Sequence, residues 1–409
     1  MTTATVGDCV VSYLYVNSPR AGSWNATANF LSCAIVEEIF TPGVTAEIEV
    51  IDYLDYIGTW QLGGDETVLI SLLRPIDGKV LSYTFLLNNV VEIDNAGALH
   101  AKVYKLVCVS LETLRGQGVY VQQAFNTTID QIVQQLWGSV QSTYSIATET
   151  TQGQRNFNIQ SEPVFHVIEM LRKEAISSQF PTSNYMFFQN SQGFNFKSMD
   201  YMASQGVVKT FQQTNTLGYN ILSFPQLDTN LITWKVNQMH DAMSRVKAGV
   251  VNQLVSTFNV YTNDFTTKTF SQVAGSSEMG SFVPTTMPTF WALFSDCFRN
   301  VIRYVNPNQN LNIGPSNVPD NLMNKMVNLA QWMEQQLYCT VIGDPTLVAG
   351  AVINCNVPQV TAQSPPPNGT DVQAAGKWLI SKIEHNVRRP DVKPRWVCSL
   401  ECLKGAFNQ

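Results

Sequence analysis

The sequence predicts a mainly β protein of the α+β class. Two regions, 1–112 and 338–409, alternate apolar and polar residues between turn-forming residues, which is typical of half-buried strands. Two others, 113–205 and 271–337, contain apolar residues at helical spacing. Charged residues make up only 14% of the 409 and hydrophobic residues 44%, which excludes general disorder. At roughly 100–200 residues per domain, this length predicts two to four domains.

The first 112 residues predict six strands. The segment 44–54 alternates best, and Pro75-Ile76-Asp77-Gly78 is a strong turn signal between two of the strands. Six strands at this spacing predict a β-barrel or a sandwich. The expected strands are 9–16, 29–40, 44–54, 66–73, 79–94 and 101–111.

The periodicity changes near residue 113. One helix is expected to begin near Ile129, and a second at Pro163, a residue favoured in the first helical turn. Aromatic residues then predict a hairpin over 185–196. The stretch 231–239 fits a helix or a strand, which the pattern does not separate. Further along, the sequence predicts a strand at 254–265 and helices at 291–304 and 321–337.

The C-terminal segment predicts a three-stranded antiparallel meander. The expected strands are 348–353, 378–387 and 396–403. Four residues of the last strand fall on one face: Trp396, Cys398, Leu400 and Cys402. This meander carries no nucleophile, base or ligand cluster, so we expect a role in assembly rather than in chemistry.

Charge and cysteine usage restrict the partners and the compartment. The net charge is −6 and the densest basic cluster is Arg388, Arg389, Lys393 and Arg395, which is too little to grip DNA. The eight cysteines are scattered without a CxxC pair, which predicts buried, reduced thiols. No signal peptide and no membrane segment are expected, because residues 1–20 lack a basic start and no stretch reaches ~18 apolar residues.

Several residues are candidates for chemical sites. Asp52 with Asp55, or Glu37 with Glu38, could form an acid pair, but each lies in or beside a predicted strand. The four histidines are 66 or more positions apart, so they form no metal-ligand pair. A G-x-S-x-G motif and a P-loop are both missing from the sequence. We therefore predict no catalytic residue, no cofactor and no metal, and expect that the protein is not an enzyme.

Three stretches of the sequence resemble the central baseplate hub protein of contractile-tailed bacteriophages, a family related to type VI secretion spike hubs and siphophage tail hubs. Residues 48–60 followed by 68–75 resemble its first tube domain, and 163–200 resembles its small α+β insert domain. The C-terminal segment carries the most specific set of residues. They are Gly343, Pro345, Gly350, Pro358, Gly376, Trp378, Ile380, Ile383, His385, Trp396 and Leu400.

The resemblance implies two similar antiparallel β-barrel tube domains with α+β inserts. Tube domain I would be 1–112, the α+β insert 113–205, tube domain II 206–270 with 338–409, and a helical insert 271–337. It also implies a homotrimeric ring in the virion tail baseplate, assembled in the host cytoplasm. Its partners would be the central spike, the tail tube initiator, the tube proteins and the tape measure protein. DNA would pass through transiently without sequence-specific binding.

Seven residues are the candidates for contacts with other subunits or partners. They are Trp378, Ile380, Ile383, Arg388, Arg389, Arg395 and Trp396. An alternative reading is a tail-associated glycan hydrolase or a carbohydrate-binding β-protein, in which Asp52 or Asp55 would be essential.

Overall fold

Strands dominate the part of the chain that the structure describes. A computed structural model describes residues 7–96, 100–213, 227–238, 252–259, 263–271, 299–305, 325, 328–329, 332–333, 335–358, 371, 374–389 and 394–404. The strands are β1 (Val10–Ser18), β2 (Gly22–Asn25), β3 (Phe30–Glu38), β4 (Thr45–Asp52), β5 (Thr67–Arg74), β6 (Lys79–Ala96), β7 (Ala101–Ser110), β8 (Tyr120–Thr128), β9 (Ile146–Thr148), β10 (Gln154–Pro163), β11 (Tyr185–Asn190), β12 (Gly193–Ser198), β13 (Val207–Gln212), β14 (Thr233–Gln238), β15 (Asn252–Asn259), β16 (Asp264–Ser271), β17 (Arg299–Val305), β18 (Gln335–Ile342), β19 (Val352–Asn356), β20 (Gly376–Arg388) and β21 (Arg395–Lys404). The helices are α1 (Tyr56–Trp60), α2 (Leu111–Gly118), α3 (Ile129–Val140), α4 (Val164–Glu174) and α5 (Met199–Ser204).

One sheet of 13 strands contains both ends of the described chain. Its order is β14-β18-β21-β20-β3-β4-β7-β6-β5-β1-β2, with β19 beside β20 and β13 beside β19. Only the β13–β19 pair is parallel. The path through these strands stays open, so the described residues form no closed barrel. The arrangement as two similar barrels therefore stays a prediction, whereas the mainly β, α+β class is confirmed.

The N-terminal and C-terminal strands join where β20 pairs with β3. The register runs from Lys382 opposite Glu38 to Arg388 opposite Ser32. On its other edge β20 pairs with β21 over most of its length. The two ends of the chain therefore build one hydrogen-bonded layer rather than two separate sheets.

Strand β6 is the corner of the sheet. Its first half pairs with β5 up to Leu86, and its second half pairs with β7 from Phe85 onward. Side chains of β1 and β5, such as Leu14 and Ile70, share one core with Ile35 of β3. The sheet thus folds over on itself. We call the strands β14, β18, β21, β20, β3, β4, β7 and the second half of β6 the front layer.

Residues 121–196 enclose a second hydrophobic core of their own. Helices α3 and α4 pack there against the β8–β10 and β9–β12–β11 strands. Strand β11 separates the two cores, because Tyr185 and Phe187 belong to the second core while Met186 and Phe188 belong to the first. Burial on both faces explains why this strand reads as a continuous apolar run.

Most predicted elements are confirmed. The six N-terminal strands, the helices after Ile129 and Pro163, the 185–196 hairpin and the last two C-terminal strands all occur. The ambiguous stretch 231–239 contains strand β14, which pairs with β18. The short strand β2 was missed because its four residues, which begin with Gly22, carry no alternating pattern.

Four expected elements need correction. The single strand expected at 254–265 is divided between β15, which ends at Asn259, and β16, which begins at Asp264 and pairs with β15 in antiparallel fashion. The strand expected at 348–353 begins only at Val352, because the preceding apolar residues lie in turns closed by hydrogen bonds such as Ala351 N to Val348 O, 3.2 Å. Residues 299–304, expected as helix, belong to β17, which pairs with β15. The helix expected at 321–337 ends early, because β18 begins at Gln335. The remaining residues of the last two helices lie partly outside the described residues, and helical residues occur at 325, 328–329 and 332.

Replacing Gly343 by alanine is expected to destabilise the sheet. A Cβ atom at Gly343 would lie 2.1 Å from Cγ of the buried Trp396, so the indole would have to move. Overpacking of this kind costs about 1–3 kcal/mol, which denaturant unfolding would measure. The matched control is Gly138→Ala in α3, where a Cβ meets nothing within 4 Å. Gly138→Ala should stabilise the protein by about 0.5–1 kcal/mol. Equal changes in the free energy of unfolding of the two variants would contradict the close packing of Trp396 on Gly343.

Candidate functional site

The front layer presents one continuous face away from the core, which we call the polar face and which also carries half-buried apolar side chains such as Ala34, Val36 and Val107. Side chains alternate along its strands between the core and this face. In β3, Cys33 and Ile35 are buried, whereas Ser32 and Ala34 are half-buried on the other side. Because both ends of the chain contribute strands, the polar face crosses from the C-terminal to the N-terminal half without a break.

Strand register determines which residues are neighbours on the polar face. One row across five strands reads Arg395, Arg388, Ser32, Glu49 and Lys105. The hydroxyl of Ser32 donates a hydrogen bond to Glu49, with an O···O distance of 2.7 Å. The two adjacent cations are therefore followed by a hydroxyl, a carboxylate and an ammonium group, and Asp8 lies opposite Arg395 on their other side.

Charges of both signs are interspersed on the polar face. Its carboxylates are Glu38, Glu47, Glu49, Glu384 and Glu401, and its cations are Lys105, Lys235, Lys382, Arg388 and Arg395. Lys382 and Glu401 form an ion pair at 3.4 Å across neighbouring strands. A surface balanced in this way gives no sustained attraction for a polyanion such as DNA.

A buried carboxyl group, Glu37, connects three parts of the chain behind the polar face. It lies on β3 with no exposed surface and accepts a hydrogen bond from Tyr83 of β6. The backbone N–H of Ser191, in the β11–β12 turn, donates to it at 2.8 Å. The N–H of Ala349, in the C-terminal half, donates at 2.9 Å. One side chain thus aligns the first sheet region, the insert and the C-terminal region.

Burial sets the ionisation of this junction. Removal from water raises the pKa of Glu37 to about 7, although the hydrogen bonds from Tyr83, Ala349 and Ser191 act in the opposite direction. The same burial, with the nearby Glu37 charge, raises the pKa of Tyr83 well above its ordinary value. The Glu37 carboxyl group therefore changes its protonation near neutral pH inside the folded chain.

A second junction is a network of buried charges. Arg74, at the end of β5, contacts Asp344 at 3.1 Å and also pairs with Asp228. Lys209 of β13 lies 2.6 Å from Asp344 and 2.7 Å from Asp228. Burial raises the pKa of Asp344, but the hydrogen bond and charge of Lys209 and the bonds from Thr346 outweigh it and hold the pKa well below its usual range. Asp344 therefore stays ionised and ties β5 to the C-terminal region.

The insert contacts the sheet through the β11–β12 turn. Asn190 donates its side-chain N–H to the carbonyl of Ala349 at 3.1 Å, and Gln189 accepts from the N–H of Val44 at 3.3 Å. Gly350 has a φ of +85°, and its α-carbon faces the ring of Phe188 so closely that a Cβ would lie 2.8 Å from it. The end of β11 is thereby fixed both to the N-terminal strands and to the C-terminal region.

A histidine and a cysteine meet inside the sheet. Nδ1 of His385 lies 3.2 Å from Sγ of Cys398 on the neighbouring strand, and both residues are fully buried. Burial lowers the pKa of His385 to about 3 and raises that of Cys398 to about 12. The pair is therefore neutral imidazole and protonated thiol, which lacks the thiolate that nucleophilic catalysis needs.

The seven predicted contact residues fall into two groups. Trp378, Ile380, Ile383 and Trp396 lie in the core of their own chain, at most 1% exposed, so their side chains do not present a surface to a partner. They lie on the core face of β20 and β21, where a register shift between Ile380 and Lys382 keeps Ile383 on the same side as Trp378 and Ile380. Arg388, Arg389 and Arg395 are exposed at the end of this hairpin, and their contact with a partner stays a prediction.

The candidate acid pair Asp52 and Asp55 is engaged by neighbouring groups of the fold. Asp52 is buried and accepts hydrogen bonds from the N–H of Leu54 at 2.9 Å and from the hydroxyl of Tyr104 at 3.0 Å. Asp55 caps α1 by accepting from Gly58 at 3.3 Å and pairs with Lys102 at 2.6 Å. Both carboxylates thus have structural partners at the end of β4.

Sequence reasoning missed the junctions, although one had a readable signal. In β3 the period-two core face runs Cys33, Ile35, Glu37, Ile39, so Glu37 was a carboxylate on an otherwise apolar face. Arg74 and Asp344 gave no such signal, because Arg74 comes directly after the strand predicted at 66–73 and Asp344 lies in a turn-like stretch, where charged residues are ordinary. Within the described residues, seven cysteines are free and buried, as predicted, and none of the helices has the length and apolar run needed to cross a bilayer.

The fold has relatives among solved structures. No protein-family model and no curated protein matches the sequence. A tail protein from Neisseria meningitidis MC58 aligns with a TM-score of 0.56 at 9% identity, over 96% of this chain and 96% of that chain. The 43 kDa tail protein of prophage MuSo2 from Shewanella oneidensis aligns with a TM-score of 0.54 at 9% identity, over 96% and 97%. The chain therefore shares the fold of these tail proteins over nearly its whole length.

Replacing Glu37 by glutamine is expected to flatten the pH dependence of stability. Because the pKa of Glu37 is higher in the folded than in the unfolded chain, its protonated form favours folding. The stability that this protonated carboxyl group contributes is complete below about pH 4.5 and is lost as pH rises through about 7. The difference in unfolding free energy between wild type and Glu37→Gln should change by on the order of 3 kcal/mol across that window. Denaturant titrations at several pH values measure it. The control Glu38→Gln changes the neighbouring, half-exposed carboxyl group and should keep the pH dependence of the wild type. If the stability difference between wild type and Glu37→Gln does not change with pH, Glu37 is not the group that titrates.

Replacing Asp344 by asparagine is expected to destabilise the chain strongly. The change removes the most deeply buried of three carboxylates around Arg74 and Lys209, and leaves Asp228 and the more exposed Asp77. Breaking a buried pair in this way costs about 3–5 kcal/mol. The matched control Glu401→Gln removes the partly exposed partner of Lys382 and should cost less than about 1 kcal/mol in the same unfolding experiment. Similar costs for both variants would contradict a structural role of the network.

Proposed function

We propose that this chain is a structural virion protein of a bacteriophage tail, and that it forms the central hub of the baseplate. The observation that carries the tail assignment is the fold shared over 96% of the chain with two tail proteins. The hub assignment rests in addition on the resemblance of the C-terminal segment and on the form of the front layer. On this proposal the protein is not an enzyme.

The two outer edges of the front layer support a ring. Among the described strands, β14 pairs only with β18, and residues 89–96 of β6 pair only with β7. Unpaired edges at opposite sides of one layer can join copies head to tail, and such contacts close into a ring when the rotation allows. In a trimer, two β regions per chain would give six, which lets a sixfold tail tube meet a threefold spike.

The polar face then lines the channel of the ring. Its interspersed charges, such as the Lys382–Glu401 pair, would let the tape measure protein and DNA pass without holding them. The proposed neighbours along the axis are the tube initiator and tube proteins at one end and the central spike at the other. The proposed location is the virion tail baseplate, assembled in the host cytoplasm.

A glycan hydrolase gains no support from the site. That reading required Asp52 or Asp55 as a catalytic carboxyl group, and both are engaged by neighbouring backbone and side chains at the end of β4. We therefore propose no second function.

The assembled mass tests the hub proposal. Light scattering on the purified chain should give three times 45.5 kDa, and negative-stain images should show rings with an open centre. A monomer at micromolar concentration, or a closed centre, would overturn the proposal.

Proline substitutions in β6 test the edge pairing that the ring needs. Neighbouring N–H groups of a strand point to opposite edges, so Val90→Pro and Val91→Pro remove one donor each, one toward β7 and one outward. We expect the variant that loses the outward donor to keep its circular dichroism spectrum and become monomeric. If that variant still forms trimers, the copies do not join through this edge.

A further inference from the structure

Strands β8 and β10 of the insert form a ribbon of two antiparallel strands. Their register runs from Thr128 opposite Gln154 to Tyr120 opposite Pro163. Among the described residues, neither strand pairs with a third strand. Every second residue of 120–126 therefore directs its N–H and C=O groups away from β10, where they have no backbone partner. We call this row of backbone groups the β8 edge.

The β8 edge lacks the features that protect a free strand edge. Charged residues, prolines and bulges keep such edges from pairing with other chains. Strand β8 reads YVQQAFNTT and contains neither a charged residue nor a proline. The bulge of the ribbon lies in β10, because Ile159 and Glu162 lie opposite Gln123 and Val121, and Ser161 between them has a φ of 52°. The free edge of β10 is therefore interrupted, whereas the β8 edge is regular.

The outward face of the ribbon is uncharged and rich in amide groups. Its residues follow one another at two-residue spacing along both strands and lie opposite one another, as Asn126 does opposite Asn156. All of them are exposed, and none of their amide groups has a hydrogen-bond partner within the described residues. We call this set the amide face, and its members are Gln122, Ala124, Asn126, Gln154, Asn156 and Asn158. The amide face therefore offers donors and acceptors to a neighbour, but no charge.

The inward face of β8 borders the second hydrophobic core. Val121 and Phe125 are buried in that core, 8% and 6% exposed. Between them, Gln123 lies opposite the buried Ile159 and has the same orientation, but it is exposed. The core therefore ends at β8, and apolar side chains of a segment laid along the β8 edge would extend it.

We propose that the β8 edge binds an extended segment of a partner protein, which adds to the ribbon as a third strand. An extended backbone presents N–H and C=O groups at the spacing that this edge requires, and strand addition is a recurrent mode of peptide recognition. The two faces of β8 define the chemistry of the segment. Apolar side chains would point toward the second core and alternate with uncharged polar side chains beside the amide face, where a charged side chain would find no ion-pair partner.

The choice of another protein over a second copy rests on the proposed function. In the proposed ring, copies join head to tail through the edges of the front layer, which does not use the insert. Pairing of two β8 edges is the competing arrangement. It would be isologous, so it would join rings in pairs and double the assembled mass. A hub with the tail tube on one side and the spike on the other is not expected to form such pairs.

Lysine substitutions separate the β8 edge from the ribbon as a whole. Ala124→Lys places a charge in the strand that would border the added segment, and charges at an edge oppose pairing. The matched control is Asn158→Lys, because residue 158 lies directly opposite residue 124 on the same face but one strand farther from the edge. Both positions are exposed, so both variants should keep the circular dichroism spectrum and a Tm within about 1–2 °C of the wild type.

Fluorescence anisotropy measures binding of a labelled peptide that alternates valine with threonine and asparagine. We expect wild type and Asn158→Lys to bind this ordered peptide with similar affinity, and Ala124→Lys to bind it about tenfold more weakly. A scrambled peptide of the same composition, with its valines adjacent, should also bind the wild type about tenfold more weakly, because its side chains no longer match the two faces. Amide hydrogen exchange should slow in residues 120–126 when the ordered peptide is added.

Three results would overturn the strand-addition proposal. They are equal affinity of wild type and Ala124→Lys for the ordered peptide, equal affinity of the wild type for both peptides, and exchange that slows elsewhere but not in residues 120–126. A doubled assembled mass that Ala124→Lys abolishes would assign the β8 edge to a second copy instead.

Light scattering on the same samples keeps the two proposals apart. Trimers that do not bind the ordered peptide would refute strand addition alone. Monomers that bind it at residues 120–126 would refute the ring alone.

Discussion

The pairing of β3 with β20 is the constraint on which the rest of the structure depends. Seven register pairs, from Lys382 with Glu38 to Arg388 with Ser32, bring together segments from opposite ends of the chain. Without that ladder the C-terminal meander and the N-terminal strands would each expose an edge and half of a core. With it, Ile383 and Val387 join Cys33 and Ile35 in one apolar cluster, and the polar face becomes continuous.

Buried polar groups lie where the parts of the chain meet. Glu37 receives donors from β6, from the insert and from the C-terminal region, and Asp344 receives Arg74 and Lys209 from two different strands. Apolar contacts tolerate small shifts of one layer over another, whereas a buried carboxylate without its donors is costly. These groups therefore specify one alignment of the modules, at some cost in desolvation.

The local sequence pattern was sufficient to predict most strands, but it did not predict the buried junctions between the parts of the chain. Period-two alternation identified β3 to β7, because each of these strands packs one face on the core and exposes the other face to solvent. The same alternation in β20 and β21 was interpreted as a contact surface, because a single sequence does not say whether an apolar face is covered by its own chain or by another. Trp378 and Trp396 are covered by their own chain. The order in which strands neighbour one another, and with it the meeting of Glu37 with Ala349, depends on pairings between distant residues that no local pattern records.

The chain order of β3 and β20 also has a consequence for biosynthesis. When a ribosome has made the first hundred residues, β3 has β4 beside it but still lacks its other neighbour, which is encoded some 350 codons later. Long-range pairings of this kind close slowly because loop entropy must be overcome first. The nascent N-terminal half therefore keeps one edge of β3 unpaired until β20 has been synthesised, and that edge is open to unwanted pairing in the meantime.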